Sequence, residues 1–251
     1  MKPIVIIPSR MASTRLPGKP LAEIGGRPMI LRVVERALAA NIGPVAVATP
    51  DAEIVEAVKV LGVTCILTAP ELPSGSDRVH AAINELDPDG RHDVIVNFQG
   101  DLPLFVPDDL RRVLRPLEDP QFDIGTLAAR VTSAQERDAT SVVKIACDFM
   151  PDQDVARSLY FSRAVLPWGE GPLWHHVGVY AWRRQALARF VNAPQSPLER
   201  RESLEQLRAL DLGLTIGCTR IEAAPHGVDT PHDLARVRAI VAQREGNVRC
   251  P

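Results

Sequence analysis

The sequence predicts an α/β fold, a doubly wound and mostly parallel sheet with an antiparallel extension in the second half of the chain. Three observations carry this expectation. Short β-branched runs alternate with segments of helical periodicity through the first half. After about Thr140 the strand-like runs are joined by irregular segments instead of helical crossovers. The 251 residues, 45% of them apolar, suffice to bury one continuous core, and no low-complexity linker or repeat interrupts them. Residues 1–251 therefore read as one domain with two halves, about 1–140 and about 141–251.

The elements follow in order. Ile4–Ile7 is apolar on both sides, as a buried parallel strand is. Pro28 opens a helix whose Ile30, Val33, Val34, Ala37 and Leu38 keep the i, i+3, i+4, i+7 spacing, with Pro in its favoured first turn. Val45–Thr49 is the next strand, Asp51 a cap, and Ile54, Val55, Val58 and Leu61 the inner face of a second helix. A third strand covers about Thr64–Thr68, and a third helix about Ser76–Leu86 with Val79, Ala82 and Ile83 inward. A fourth strand covers Asp93–Phe98. In the second half, Val142–Cys147, Val155–Ser162 and Val177–Trp182 read as strands. One helix runs from Pro197 to Leu210 and another from Pro231 to about Val241, and Arg244–Pro251 reads as frayed.

Composition excludes several functions. With 29 basic against 31 acidic residues, the chain lacks the positive field that non-specific nucleic-acid binding needs. Cys65, Cys147, Cys218 and Cys250 are far apart, with no CxxC pair, and read as buried or incidental thiols of a reducing compartment. The N-terminal apolar run ends at Pro8, too early for a signal peptide, and no stretch approaches the roughly 20 apolar residues of a membrane span. A cytoplasmic protein acting on small molecules is expected.

The chemistry concentrates between the first strand and first helix, in Pro8-Ser9-Arg10-Met11-Ala12-Ser13-Thr14-Arg15-Leu16-Pro17-Gly18-Lys19. In open α/β sheets ligands bind at the carboxyl ends of strands. Cations and hydroxyl residues in one such loop suit a polyanion, because fixed positive charge and exposed backbone N–H groups together neutralise phosphate oxygens. The segment is neither GxxxxGK[ST] nor GxGxxG, so it does not support a Walker-type ATPase or a dinucleotide dehydrogenase. Two carboxylates stand where a metal would help. Asp101 follows Gln99-Gly100 directly after a strand, and Asp229 lies far along the chain before Pro231; each is also explicable as a turn or cap residue.

The run IIPSRMASTRLPGKPL resembles the signature of the 3-deoxy-manno-octulosonate cytidylyltransferases, the CMP-KDO synthetases, and more loosely that of other sugar nucleotidyltransferases. The resemblance continues in the family's order through GGRPMI (Gly25–Ile30), SGSDR (Ser74–Arg78), VNFQGDLP (Val96–Pro103), YFSRAVLPW (Tyr160–Trp168), HHVGVY (His175–Tyr180), SPLERRESLEQLR (Ser196–Arg208) and HGVDTPHDL (His226–Leu234). It implies a Rossmann-like nucleotidyltransferase sheet and transfer of CMP from CTP to the acidic keto sugar KDO, with release of pyrophosphate, toward lipopolysaccharide. It also implies Mg²⁺ as cofactor and a homodimer formed through the antiparallel extension. By the same resemblance Arg10 and Lys19 hold phosphates, and Ser74, Gly75, Arg78 and Gln99 contact the nucleotide. Asp101 and Asp229 ligate the metal, while Arg163, His176, Tyr180, Glu205 and Gln206 form the sugar pocket. The first half is then the nucleotide-binding half and the second the sugar-binding and dimerisation extension.

The chain departs from the family pattern at Leu102, where an acidic residue is usual, and at Pro73 before Ser74. A cytidylyltransferase for another acidic or amino-modified sugar would use the same loop and aspartates. A non-catalytic nucleotide-binding regulator would keep Arg10 and Lys19 but need not keep both Asp101 and Asp229.

Overall fold

A computed structural model describes residues 1–248, and the chain divides into two compact units. The first contains residues 3–91, 97–107 and the chain from Pro225 on; the second contains residues 1–2, 92–96 and 108–224. The units interleave along the sequence.

The first unit begins with β1 (Pro3–Pro8), followed by the short hairpin β2 (Glu23–Ile24) and β3 (Arg27–Pro28), then α1 (Met29–Ala40), β4 (Val45–Thr49), α2 (Ala52–Val58), β5 (Thr64–Leu67) and α3 (Gly75–Leu86). Its strands lie parallel in the order β5-β4-β1, with Ile6 opposite Ala46 and Ala46 opposite Thr64. Ile4 to Ile7 are buried along the whole of β1, as the unbroken apolar run requires. Ile30, Val33, Val34 and Ala37 form the buried stripe of α1; each large apolar side chain so buried contributes about 1.5–3 kcal/mol.

The second unit contains β6 (Val94–Asn97), α4 (Pro107–Arg112), β7 (Ile124–Arg130), α5 (Ala134–Asp138), β8 (Lys144–Cys147), β9 (Val155–Ser162), β10 (Trp174–Arg183), α6 (Arg184–Val191), α7 (Pro197–Glu202), α8 (Gln206–Asp211) and β11 (Ile216–Ile221). Its strand order is β6-β10-β7-β11-β9-β8. β7 runs antiparallel to β10 and parallel to β11, while β9 is antiparallel to both β11 and β8. The architecture is thus mixed α/β with an antiparallel second half. The chain returns to the first unit in α9 (Pro231–Val248), whose Leu234, Val237 and Val241 pack with Ile24, Met29, Leu104 and Val228.

Four local expectations are corrected. β7 and β11 have no counterpart in the sequence reading, since glycine, alanine and threonine dilute their apolar pattern. Gly125 and Gly217 are direct cross-strand partners, and a Cβ on Gly125 would lie 2.2 Å from the Val113 carbonyl oxygen, one on Gly217 2.6 Å from Pro116. Only glycine lets the 113–116 segment press onto the sheet there. The single helix expected from Pro197 to Leu210 is broken at Ser203, which adopts a left-handed φ of 55°. The break turns the Glu202 and Ser203 carbonyls toward the Arg163 guanidinium, at 2.9 and 3.3 Å. Asp51 occupies the N-cap position of α2 but makes no side-chain cap bond. The final helix continues past Val241 to Val248, so of the segment expected to fray only residues 249–251, Cys250 among them, lie outside the described residues.

Candidate functional site

A cleft of about 350 Å³ opens in the first unit at the carboxyl end of β1, lined by the loop from Pro8 to Lys19 and by Ser74, Gly75, Arg78, Gln99, Asp101 and Asp229. All eight residues assigned from sequence to nucleotide or metal, Arg10 included, line it. Four chain segments therefore converge on it: the loop after β1, the start of α3, the residues following β6, and the segment before the final helix.

Backbone geometry fixes the convergence. A Cβ on Gly100 would lie 2.9 Å from the Pro8 carbonyl oxygen, so glycine is what allows the Gln99–Asp101 segment to run against the end of β1. Val228 N–H donates to the Asp101 carbonyl at 3.0 Å, tying the two aspartate-bearing segments together. Thr230 Oγ1 accepts from Asp233 N–H at 3.2 Å and Asp233 Oδ2 accepts from Thr230 N–H at 2.9 Å and Asp229 N–H at 3.2 Å. Thr230, not Asp229, thus caps α9, so the Asp229 carboxylate is not used as the cap and lines the cleft. Leu102 is buried, with Cδ2 within 3.7 Å of where a Cβ on Gly227 would stand. The residue that replaces the usual acid therefore packs under the Asp229 segment.

Lys19 joins the carboxylates. Its Nζ lies 3.0 Å from Asp101 Oδ2 and 3.1 Å from Asp229 Oδ1, and Arg15 reaches the other Asp229 oxygen at 3.3 Å. Burial pushes the Asp101 carboxyl above its ordinary pKa, Lys19 pulls it back, and the Asp229 charge adds to the rise. For Lys19, burial lowers the ammonium pKa but the two carboxylates more than reverse this, leaving it raised.

The opposite wall is cationic and under-paired. Arg78 is 2% exposed and donates to Thr68 Oγ1 and, at 3.1 Å, to the Ala69 carbonyl, while its second terminal nitrogen has no partner among the described residues. Burial, and then the charge of Arg10, lower its pKa. The Ser9 hydroxyl, also buried at the cleft, is likewise unpaired. Two guanidiniums sharing a wall with an unsatisfied N–H and hydroxyl suit an anion. Ser74 caps α3 by accepting from Asp77 N–H at 3.2 Å and also lines the cleft. Gln99 Nε2 donates to Asn97 Oδ1 at 3.0 Å, and Asn97 in turn to Ser76.

Sequence reasoning missed the partners that hold this wall. Met11 N–H donates to Asp51 Oδ2 at 2.7 Å, which pins the loop from the start of α2. Asp51 was legible as a helix start, and its helix-capping chemistry is the same as its loop-pinning chemistry; only tertiary contact distinguishes them.

The five residues expected to bind sugar all belong to the second unit. Arg163 spends three of its five N–H donors on the carbonyls of Glu202, Thr140 and Ser203. His176 and Tyr180 sit in an aromatic row, Phe161–His176–Tyr180–Trp182–Phe190, with centroid spacings of 4.8, 5.5, 5.9 and 4.9 Å. Burial lowers the His176 pKa to about 3, so the ring is neutral. The Thr126 hydroxyl has one hydrogen to give, to the Val179 carbonyl at 2.9 Å, and its oxygen then accepts from His176 Nε2–H at 3.1 Å. Burial, followed by the charge of Glu205, raises the Tyr180 hydroxyl pKa. Gln206 is buried at the first turn of α8. Beneath these lies a pair not singled out from sequence. Glu199 and Arg208, 5% and 7% exposed, are bonded through both carboxylate oxygens, with Arg208 over the Phe190 ring at 4.4 Å.

Parallel strands ending in a cationic loop, faced by two convergent carboxylates, define a nucleotidyltransferase-type α/β protein. Residues 4–216 match the family model described as cytidylyltransferase. A 3-deoxy-manno-octulosonate cytidylyltransferase of Rhodospirillum centenum is 54% identical over 244 residues, covering 97% of this chain and 95% of its own. That of Xanthobacter autotrophicus is 55% identical over 239 residues, covering 95% and 93%. A solved CMP:2-keto-3-deoxy-manno-octonic acid synthetase complexed with CTP superimposes with a TM-score of 0.88 at 38% identity, covering 97% of this chain and 100% of that one. The chain belongs to the 3-deoxy-manno-octulosonate cytidylyltransferase family.

Proposed function

We infer that this enzyme transfers CMP from CTP to 3-deoxy-D-manno-octulosonate, giving CMP-KDO and pyrophosphate for lipopolysaccharide synthesis. The observation that carries the reading is the cleft itself, where a cationic wall and two carboxylates meet in a chain of this family. Arg10, Lys19 and Arg78 neutralise the triphosphate, and Ser74, Gly75 and Gln99 meet the nucleotide with short polar and backbone groups that discriminate a small base. Arg163, His176, Tyr180, Glu205 and Gln206 are the residues of the second unit proposed to recognise the sugar acid.

Asp101 and Asp229 fit Mg²⁺ as hard oxygen donors, because one oxygen from each already converges on a single cation position, within 3.1 Å of Lys19 Nζ. When bound, Mg²⁺ would neutralise phosphate charge and favour ionisation of the attacking sugar hydroxyl. The chain's own residues hold the phosphates in line and exclude alternatives; the sugar hydroxyl attacks the α-phosphorus directly, with pyrophosphate leaving and no residue nucleotidylated. A trapped nucleotidyl-enzyme would refute direct attack.

The same reading includes a doubly wound nucleotide-binding half and a sugar-binding extension acting as one domain over residues 1–251. It further includes a homodimer formed through that extension, where Leu159, Val165 and Trp168 are exposed. A cytoplasmic location accords with the described residues, among which no helix is long and apolar enough to cross a membrane. The test is pyrophosphate release with Mg²⁺, pairing CTP, UTP, ATP and GTP with KDO, sialic acid and neutral hexoses. Turnover with CTP and KDO alone is expected. Preference for another acidic sugar would overturn the substrate assignment, and CTP binding without turnover would make the chain a regulator.

A further inference from the structure

The Lys19 ammonium stands between Asp101 and Asp229, at 3.0 and 3.1 Å from one oxygen of each. A divalent cation touching both carboxylates needs the same position, since its bonds to oxygen are about 2.1 Å long for Mg²⁺. Two cations cannot share it, because their repulsion at such separations, in a partly buried site, exceeds what the carboxylates return. Charge gives the same answer: Asp101 and Asp229 are already balanced by Lys19 and Arg15.

Lys19 is built to move. Its backbone is fixed, with N–H donating to the Leu16 carbonyl at 3.2 Å and carbonyl accepting from Ala22 N–H at 3.1 Å. Its four-carbon stem nevertheless lets the ammonium swing, and the side chain borders the cleft together with Ser9, Arg10 and Gly100.

We propose that Lys19 is an exchangeable counter-cation: its ammonium closes the carboxylate pair, and a divalent cation entering between Asp101 and Asp229 displaces it toward the phosphate side of the cleft. Metal entry and phosphate engagement by Lys19 are then one event, and the carboxylates resist a metal that arrives without nucleotide. This rests on the assignment of Asp101 and Asp229 as metal ligands.

The test is Mn²⁺ binding to the full-length protein without nucleotide, followed by electron paramagnetic resonance of free Mn²⁺. Circular dichroism checks that each variant is folded. Lys19→Gln is expected to bind Mn²⁺ at least tenfold tighter than the parent, and Lys19→Arg, which keeps the charge, to bind as weakly as the parent. In the parent protein, added Mn²⁺ should speed acetylation of Lys19 by acetic anhydride several-fold, read by mass spectrometry. Unchanged or weaker binding in Lys19→Gln, with binding still lost in Asp101→Asn, refutes the exchange and leaves the metal assignment standing. Equal Mn²⁺ affinity in Lys19→Gln and in Lys19→Gln with Asp101→Asn removes the metal assignment and the exchange with it.

Discussion

Replacing Glu199 by Ala should be the most damaging single change in the second unit. Glu199 accepts from Arg208 Nε at 2.7 Å and from its terminal nitrogen through the other oxygen, and accepts from Ser196 N–H at 3.0 Å in a capping box at the start of α7. Both side chains are buried. Removing one partner of such a pair leaves a desolvated charge, which costs about 3–5 kcal/mol. For a chain of this size that corresponds to a melting point lower by roughly 10 °C. Urea titration followed by tryptophan fluorescence suits the measurement, since Trp182 is buried with its ring 4.9 Å from Phe190, the residue Arg208 covers. Combining Glu199→Leu with Arg208→Met removes both charges, although the Phe190 and Ala193 carbonyls then lose a donor. It should therefore recover at least about 2 kcal/mol of the loss. A loss below about 1 kcal/mol for Glu199→Ala, or a double variant as unstable as the single one, would refute the reasoning.

Asp101→Asn should lower kcat at least 100-fold at saturating Mg²⁺ while the melting curve stays near that of the parent; near-normal turnover would count against its assigned role. Asp51→Ala removes the acceptor that holds Met11 N–H at 2.7 Å, and should raise the KM for CTP several-fold, by about 1 kcal/mol of positioning, with little change in kcat; an unchanged KM would mean that the loop needs no such pin. The pH dependence of stability should also carry the mark of His176. Its folded pKa is depressed by burial to about 3, whereas the unfolded chain titrates near 6.5. As pH falls through that window the unfolded state takes up a proton that the folded state refuses, so stability is lost toward acid at up to about 1.4 kcal/mol per pH unit. His176→Phe should show a shallower acid loss in the same urea titrations, and equal slopes would show that the ring does not titrate in this way.

Much of the first unit was legible because its signals are local. A short unbroken β-branched run such as Ile4–Ile7 favours a buried strand by its length and residue type, and the α1 stripe follows from residue spacing alone. The cationic loop between them could be read as a phosphate site for the same reason. β7 and β11 escaped because their Gly125–Gly217 pair is dictated by the 113–116 segment pressing from outside, and that segment is remote in sequence from β11. The break at Ser203 escaped likewise, since helical periodicity says nothing of an Arg163 that needs two carbonyls.

The residue types of the site, two aspartates and a set of cations, were set down in the sequence, as was the family resemblance that names their chemistry. Which of them meet was decided by tertiary structure. Asp101 and Asp229 are 128 positions apart, and nothing local joins them; the Val228–Asp101 backbone bond, the Thr230 cap and the Gly100 approach to Pro8 do so. The position of Lys19 between them follows from the same contacts. Side chains touch only when their heavy atoms come within about 4.5 Å, so a partner depends on how the backbone returns through space, and that return is set by packing of the whole unit.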